Sequence, residues 1–346
     1  MEPRIVVSGS FDKTISIWRT PKKLYTFKGL GNLRLFLEVL KFLAPEEVIQ
    51  IARVNKQFYE ASFHWEVQKP RFKQIQVLEG HANHVVLLAV SQEQKILLYG
   101  SDDCSIQVWS LVTEQITQIL KGHNHWVLSL ATSDDGQWVV SGSRDSTLRV
   151  WNLASEKQTL VLKGHTKAVN SVALSSLSQY VVSGSEDSTL RIWSLISGAQ
   201  LRVLRGHRSE IKSLAISRTD KYIVSGSEDR SIIVWSLSSG DQISILDGHT
   251  NCINSVAISS DGEHAVSGSA DGTVRVWNIP SGETTQVLRG HSFQVRSVNL
   301  SKDGKYLVSG GGEIGSFSVI VWDFATKHQI QELRGHTANV HSVNLI

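Results

Sequence analysis

Histidines are the residues of this 346-residue chain best suited to chemistry, and seven of the thirteen keep strict time. Gly-His dipeptides end at His81, His123, His165, His207, His249, His291 and His336, spaced by 42 residues five times and then by 45. Serine and aspartate follow most of them at fixed offsets, as Ser141 and Asp145 follow His123. These are the residue types of a hydrolase triad, in which Asp orients His and His activates Ser. An enzyme carries such a constellation once, whereas this one recurs. A tryptophan recurs in phase with it, at Trp109, Trp151, Trp193, Trp235, Trp277 and Trp322. The repetition therefore points to structure. The other histidines lack ligand spacing, so no metal is expected. Residues 310–315 spell G-x-G-x-x-G, but between two strand-like segments rather than ahead of a helix, which argues against a dinucleotide site. Neither a cofactor nor enzymatic activity is expected.

The elements that position these residues are short strands. In the second unit Val127–Ala131, Trp138–Ser141, Thr147–Trp151 and Thr159–Leu162 each read as one strand. Asp134-Asp135-Gly136 and Ser143-Arg144-Asp145-Ser146 supply turns between them. Hydrophobic residues at 41% against 19% charged fit a globular chain and not a disordered one. A formal net charge of +3 is too weak a bias to imply a nucleic-acid or membrane surface. The most apolar stretch, Leu33 to Leu43, is interrupted by Arg34, Glu38 and Lys41, so no bilayer span is expected. Cys104 and Cys252 are isolated, which fits a reducing compartment, and Met1-Glu2-Pro3-Arg4 does not open like a signal peptide. The expected location is the cytoplasm, with the nucleus as the other open compartment.

Four-stranded units of this period, each with Gly-His and a late Trp, resemble WD repeats, over all of the chain except roughly residues 29–73. The resemblance implies an all-β fold, a seven-bladed β-propeller whose blades bury their apolar faces by stacking in a ring. It also implies that Trp, a strand Ser, a turn Asp and the Gly-His histidine form one hydrogen-bonded chain per blade. In the second unit these are His123, Ser141, Asp145 and Trp151. Two units depart: Tyr99 replaces the serine of the first, and the sixth has three extra residues and no aspartate in its Gly310–Ser316 turn. Those two blades are expected to be the looser ones.

The chain begins in mid-repeat. Ser8, Asp12 and Trp18 hold network positions without a preceding Gly-His, while Gly335-His336 and the strand-like Val340–Leu345 lack a sequel. The two ends sum to one blade, which predicts that His336 joins Ser8, Asp12 and Trp18 to close the ring; a fragment of a longer array is the alternative. Leu24–Lys28 and Gln74–Leu78 compete for that blade's fourth strand. The expected domains are 1–28, the split blade's N-terminal strands; 29–73, a helical insertion; and 74–346, six full blades plus the closing first strand.

Residues 29–73 break the repeat with helical periodicity, Phe36, Val39, Leu40 and Leu43 sharing one face. Pro45 followed by Glu46 and Glu47 suits a second helix start. The string FLEVLKFLAPEEVIQIARVNKQFYEASFHWEVQKPRF resembles an F-box, although Gly31-Asn32-Leu33-Arg34 replaces the usual Leu-Pro-x-Glu opening. The resemblance implies a small all-α, F-box-like insertion in which Leu35, Phe36, Val39, Leu40, Leu43, Pro45 and Val48 grip a Skp-family adaptor. The chain would then be the substrate receptor of a cullin–RING (SCF-type) ubiquitin ligase, its propeller holding a protein substrate or peptide. The alternative is a WD-repeat scaffold without a ligase role, its insertion structural.

In the family, substrate contacts come from the top face, five residues after each Gly-His histidine and just before each turn Asp. These positions and their aromatic neighbours nominate His84, Trp126, Arg144, Lys212, Phe293, Arg296 and His341. The three cations are dispersed among Asp102, Glu186 and Glu228, so a phosphate-reading cluster is not indicated.

Overall fold

A computed structural model describes residues 5–10, 15–19, 73–78, 85–91, 96–101, 103–110, 112–113, 115–155, 157–313 and 316–345. Two compact units divide the chain, one of Met1–Pro3 with Arg19–Lys73, the other of Arg4–Trp18 with Gln74–Ile346. Every helix or strand among the described residues is a strand, and the strands, numbered in chain order, form seven four-stranded sheets.

Six sheets are blades, each drawn from one continuous stretch: Val85–Lys121, Val127–Lys163, Val169–Arg205, Ile211–Leu246, Ile253–Arg289 and Val295–Arg334. The second shows the pattern, with β8 Val127–Thr132, β9 Trp138–Ser143, β10 Thr147–Asn152 and β11 Lys157–Lys163 pairing as neighbours. In β9 every residue after Trp138 is buried, because a strand sandwiched between two neighbouring blades has no solvent face. In β11 only Leu162 is buried, as befits an outer edge rich in Lys, Gln and Thr.

The core lies in the seams. One apolar cluster joins Val140, Leu148, Val150 and Leu162 of the second blade to Val169, Val172, Val181 and Trp193 of the third. The Ser-Gly-Ser that ends the second strand in blades two to five serves this contact. A Cβ on Gly226 would stand 2.5 Å from Ile253 Cγ2, so only glycine lets the next blade's first strand approach. Serines stitch the same seams, Ser129, Ser171, Ser213 and Ser255 accepting the backbone N–H of Val172, Leu214, Val256 and Val298 at 2.8–3.1 Å.

The remaining sheet is a composite, in the order β28 (Val340–Leu345), β1 (Ile5–Ser10), β2 (Ile15–Arg19), β3 (Lys73–Leu78). The fourth-strand slot thus belongs to the Gln74–Leu78 segment. β28 packs against β24 (Val295–Leu300) and β4 (Val85–Ser91), the first strands on either side. Ser297 accepts the Val343 N–H at 3.1 Å, extending the serine stitching to β28.

The expected fold class, a seven-bladed propeller with a small all-α insertion, is therefore corrected. The repeat builds six continuous blades. The two chain ends add a composite sheet held by long-range pairing, not a seventh turn of the repeat. No helix occurs among the described residues, and residues 29–72 lie outside them, as do Leu35, Phe36, Val39, Leu40, Leu43, Pro45 and Val48. What stands is an all-β propeller.

Candidate functional site

The triad-like constellation forms a chain of hydrogen bonds in blades two to five. His123, His165, His207 and His249 set Nδ1 2.8–3.0 Å from Asp145, Asp187, Asp229 and Asp271. Their Nε2 atoms lie 2.7–2.8 Å from Ser141, Ser183, Ser225 and Ser267. Each serine oxygen in turn accepts a tryptophan indole N–H at 2.8–2.9 Å, from Trp151, Trp193, Trp235 and Trp277. An ionised Asp can only accept, so Nδ1–H donates to it and Nε2 accepts a hydrogen bond from the serine O–H. Partial burial opposes the charge on Asp145, but hydrogen bonds from His123, Thr147 and the Asn124 amide outweigh it. The carboxyl is held well below its ordinary range. Ser141 has no exposed surface, so its hydroxyl cannot reach a substrate. The chain braces the blade.

The departing units show what the network lacks there. In the first blade Tyr99 donates to Gln107 Oε1, and burial, with the charge of Asp103 second, pushes the phenol up to about 12. In the sixth, His291 reaches Ser309 at 2.7 Å and Trp322 donates to that serine at 2.8 Å, but among the described residues no carboxylate bonds Nδ1. Burial brings His291 down to about 4. In the composite sheet Ser8 lies 2.6 Å from His336, and Trp18 meets that ring edge-on at 5.8 Å between centroids. Asp12 lies outside the described residues.

In blades two to five the Gly-His loops and the turns between second and third strands meet at one end. There Arg144, Glu186, Glu228 and Ala270 donate backbone N–H to Trp126, Ala168, Glu210 and Cys252 at 2.9–3.0 Å. The first strands share a further feature at this end. Pairing with the second strand skips one residue in every sheet: Val86, Leu128, Asn170, Lys212, Asn254, Arg296 and His341. A bulge re-aims the side chain it carries and is common beside functional sites. Side chains varying from blade to blade are thus set on one rim by a backbone device that does not vary.

The nominated residues divide along this rim. Asn170 and Asn254 are committed inward, donating to the carbonyls of Ile211 and Val295 at 3.1 and 2.8 Å. Lys212 pairs with Glu210, and Ser209 donates to Glu228 at 2.8 Å, so the fourth blade neutralises its own charges. Arg296 and His341 are part-buried at their bulges, and His84 lies outside the described residues. Trp126 and Phe293 remain 41% and 39% exposed, large values for aromatic side chains. The Arg144 guanidinium stands 5.3 Å above the Trp126 ring. His125 meets the same ring edge-on at 5.6 Å. Among the described residues no carboxylate pairs with Arg144. Sequence reasoning passed over His125, whose only signal was its place beside Trp126 in the second Gly-His loop. Among the described residues, no group of three or more His, Cys, Asp or Glu side chains is placed to hold a metal ion.

Comparison with curated proteins returns no match. The family described as WD domain, G-beta repeat matches residues 72–110, 114–152, 156–194, 198–236, 240–278 and 282–323. Each matched unit is a fourth strand followed by the first three strands of the next blade. Six repeats are shown where seven were expected, and residues 29–71 fall outside them. With its repeats, blades and histidine networks in register over most of its length, the chain belongs to the WD-repeat family.

Proposed function

We propose that the protein is an interaction scaffold that holds a partner protein on the bulged rim and catalyses nothing itself. The observation that carries this is the exposed Arg144–Trp126–His125 stack, a cation on an aromatic ring with no acid among the described residues to neutralise it. Trp and Arg are enriched among the few residues that dominate the energetics of protein interfaces. Phe293, on the same rim, supplies a second aromatic contact. WD propellers generally bind proteins, which supports the same reading.

The finer reading makes this scaffold the receptor of a cullin–RING ligase in the cytoplasm or nucleus. It rests on the F-box-like string between Phe36 and Phe72 and on the pairing of such a string with a WD propeller. Calorimetry with a Skp-family adaptor tests it, using a Leu40→Asp, Leu43→Asp variant as control. Micromolar or tighter binding lost in the variant supports the receptor. No binding by folded wild type leaves the propeller scaffold alone. That scaffold has its own test, since Trp126→Ala and Arg144→Ala should each deplete the partners captured by wild type. Unchanged capture by both variants would remove the rim from the proposal.

A further inference from the structure

The end of the blades opposite the rim carries a second constellation. There the first strand turns into the second on a fixed frame. Ser133, Ser175, Ser217, Ser259 and Ser301 accept the backbone N–H five residues ahead at 2.9–3.0 Å. The next residue is free to vary, and reads Asp134, Ser176, Arg218, Ser260 and Lys302. Charge thus falls on alternate blades, the second, fourth and sixth, with hydroxyls between. The three charged side chains converge from separate blades on a cavity of about 200 Å³. Leu174, Ile216, Ile258 and Leu300, at the strand ends just before these turns, add an apolar part to a lining otherwise made of hydroxyls and charges.

One Asp134 oxygen stands 4.0 Å from the Arg218 guanidinium, and the other 3.8 Å from the Lys302 ammonium. Both separations exceed hydrogen-bond length, so neither cation has spent its donors on the carboxylate. All three groups are about half exposed, and ion pairs of this kind are weak. The Arg218 loop itself is anchored, its carbonyl accepting from Ser176 Oγ at 2.8 Å. Two cations therefore hold a carboxylate loosely across a cavity lined in part by apolar strand ends, and their donors remain available to a better-placed one.

We propose that this cavity binds a small aliphatic carboxylate. Its head displaces Asp134 between Arg218 and Lys302, and its tail lies against the strand-end leucines and isoleucines. Asp134 is then an internal competitor that sets the affinity, a role that a surface ion pair serving stability alone does not have.

Calorimetry of the full chain with acetate, butyrate and hexanoate tests this, with inorganic phosphate as a second probe. Affinity should rise from acetate to hexanoate, by about fourfold for each methylene fully buried. Asp134→Asn should tighten hexanoate binding about two- to fivefold by removing the competitor. Arg218→Gln and Lys302→Gln should each weaken it by about tenfold, without moving the melting temperature. Hexanoate binding that is absent, or unchanged in Asp134→Asn, overturns the proposal. Phosphate bound in preference to every carboxylate overturns the assignment of ligand class.

Discussion

The second and sixth blades differ by one carboxylate, and the comparison shows what that group does. In the second, His123 sits between Ser141 and Asp145, each imidazole nitrogen with a partner. In the sixth, three added residues lengthen the hairpin of β25 (Tyr306–Glu313) and β26 (Ser316–Asp323), and the aspartate is gone. Gly311 accommodates the longer hairpin, since a Cβ there would stand 2.3 Å from the Gln294 carbonyl oxygen. His291 still binds Ser309 and through it Trp322, so half the chain survives. The serine–tryptophan half seals the seam, while the aspartate half lets the imidazole stay buried and also fastens the turn. Each half can be broken separately.

The largest effect should come from the serine–tryptophan half, which blades two to six all keep. Trp193→Ala removes a side chain at 1% exposure from the seam between second and third blades. The expected loss is about 3–5 kcal/mol, read by urea denaturation. Next comes a pH effect peculiar to the sixth blade. His291 falls to about 4 when folded, below the ordinary 6.5, because burial disfavours its charge. Folding thus favours the neutral ring, and this contribution is complete above about pH 6.5. It drains away as pH falls toward 4, by up to about 3 kcal/mol. His249 in the fifth blade is lowered by burial too, but there the hydrogen bond and charge of Asp271 oppose the shift. Asp145, Asp187 and Asp229 are lowered instead from the carboxylate range, so their stabilisation is lost only below about pH 4. Denaturation across pH 7 to 4 should show the first loss in wild type and a flatter profile in His291→Gln. An unchanged slope would reassign it to another group.

The smallest effect should come from making the second blade resemble the sixth. Asp145→Asn leaves His123 without an anionic partner and weakens the bonds to Asn124 and Thr147. The expected cost is about 1–3 kcal/mol at pH 7, with a new acid-sensitive slope below 6.5. If the slope does not appear, the aspartate fastens the turn and has no part in keeping the ring buried.

Much of this architecture was legible in the chain. The 42-residue spacing located the strands because each network residue has one place on its hairpin. The rim positions coincide with the bulges because both sit five residues past a Gly-His. Other features had no local signature. Leu24–Lys28 and Gln74–Leu78 alternate equally well, and pairing with β2 (Ile15–Arg19), a tertiary fact, decides between them. Asp134 reads as an ordinary turn residue, since nothing near it announces cations from blades two and four places on. The seventh blade was counted from two half-patterns, and a half-pattern fixes a strand but not a repeat.

The pairing of β1 with β28 bears on the order of events in assembly. Ser8 and His336 stand 328 positions apart, and every hydrogen bond between their strands closes a loop of comparable length. Contacts so distant form late, because the entropy of bringing the segments together must be met before any bond rewards it. During synthesis, Val6 to Ser10 emerges more than 300 residues ahead of its partner and stays unpaired on that edge until Val340 to Leu345 arrives. Until then it is an open template for a neighbouring chain, so this interval, and not the finished fold, is where the protein is most exposed to mispairing.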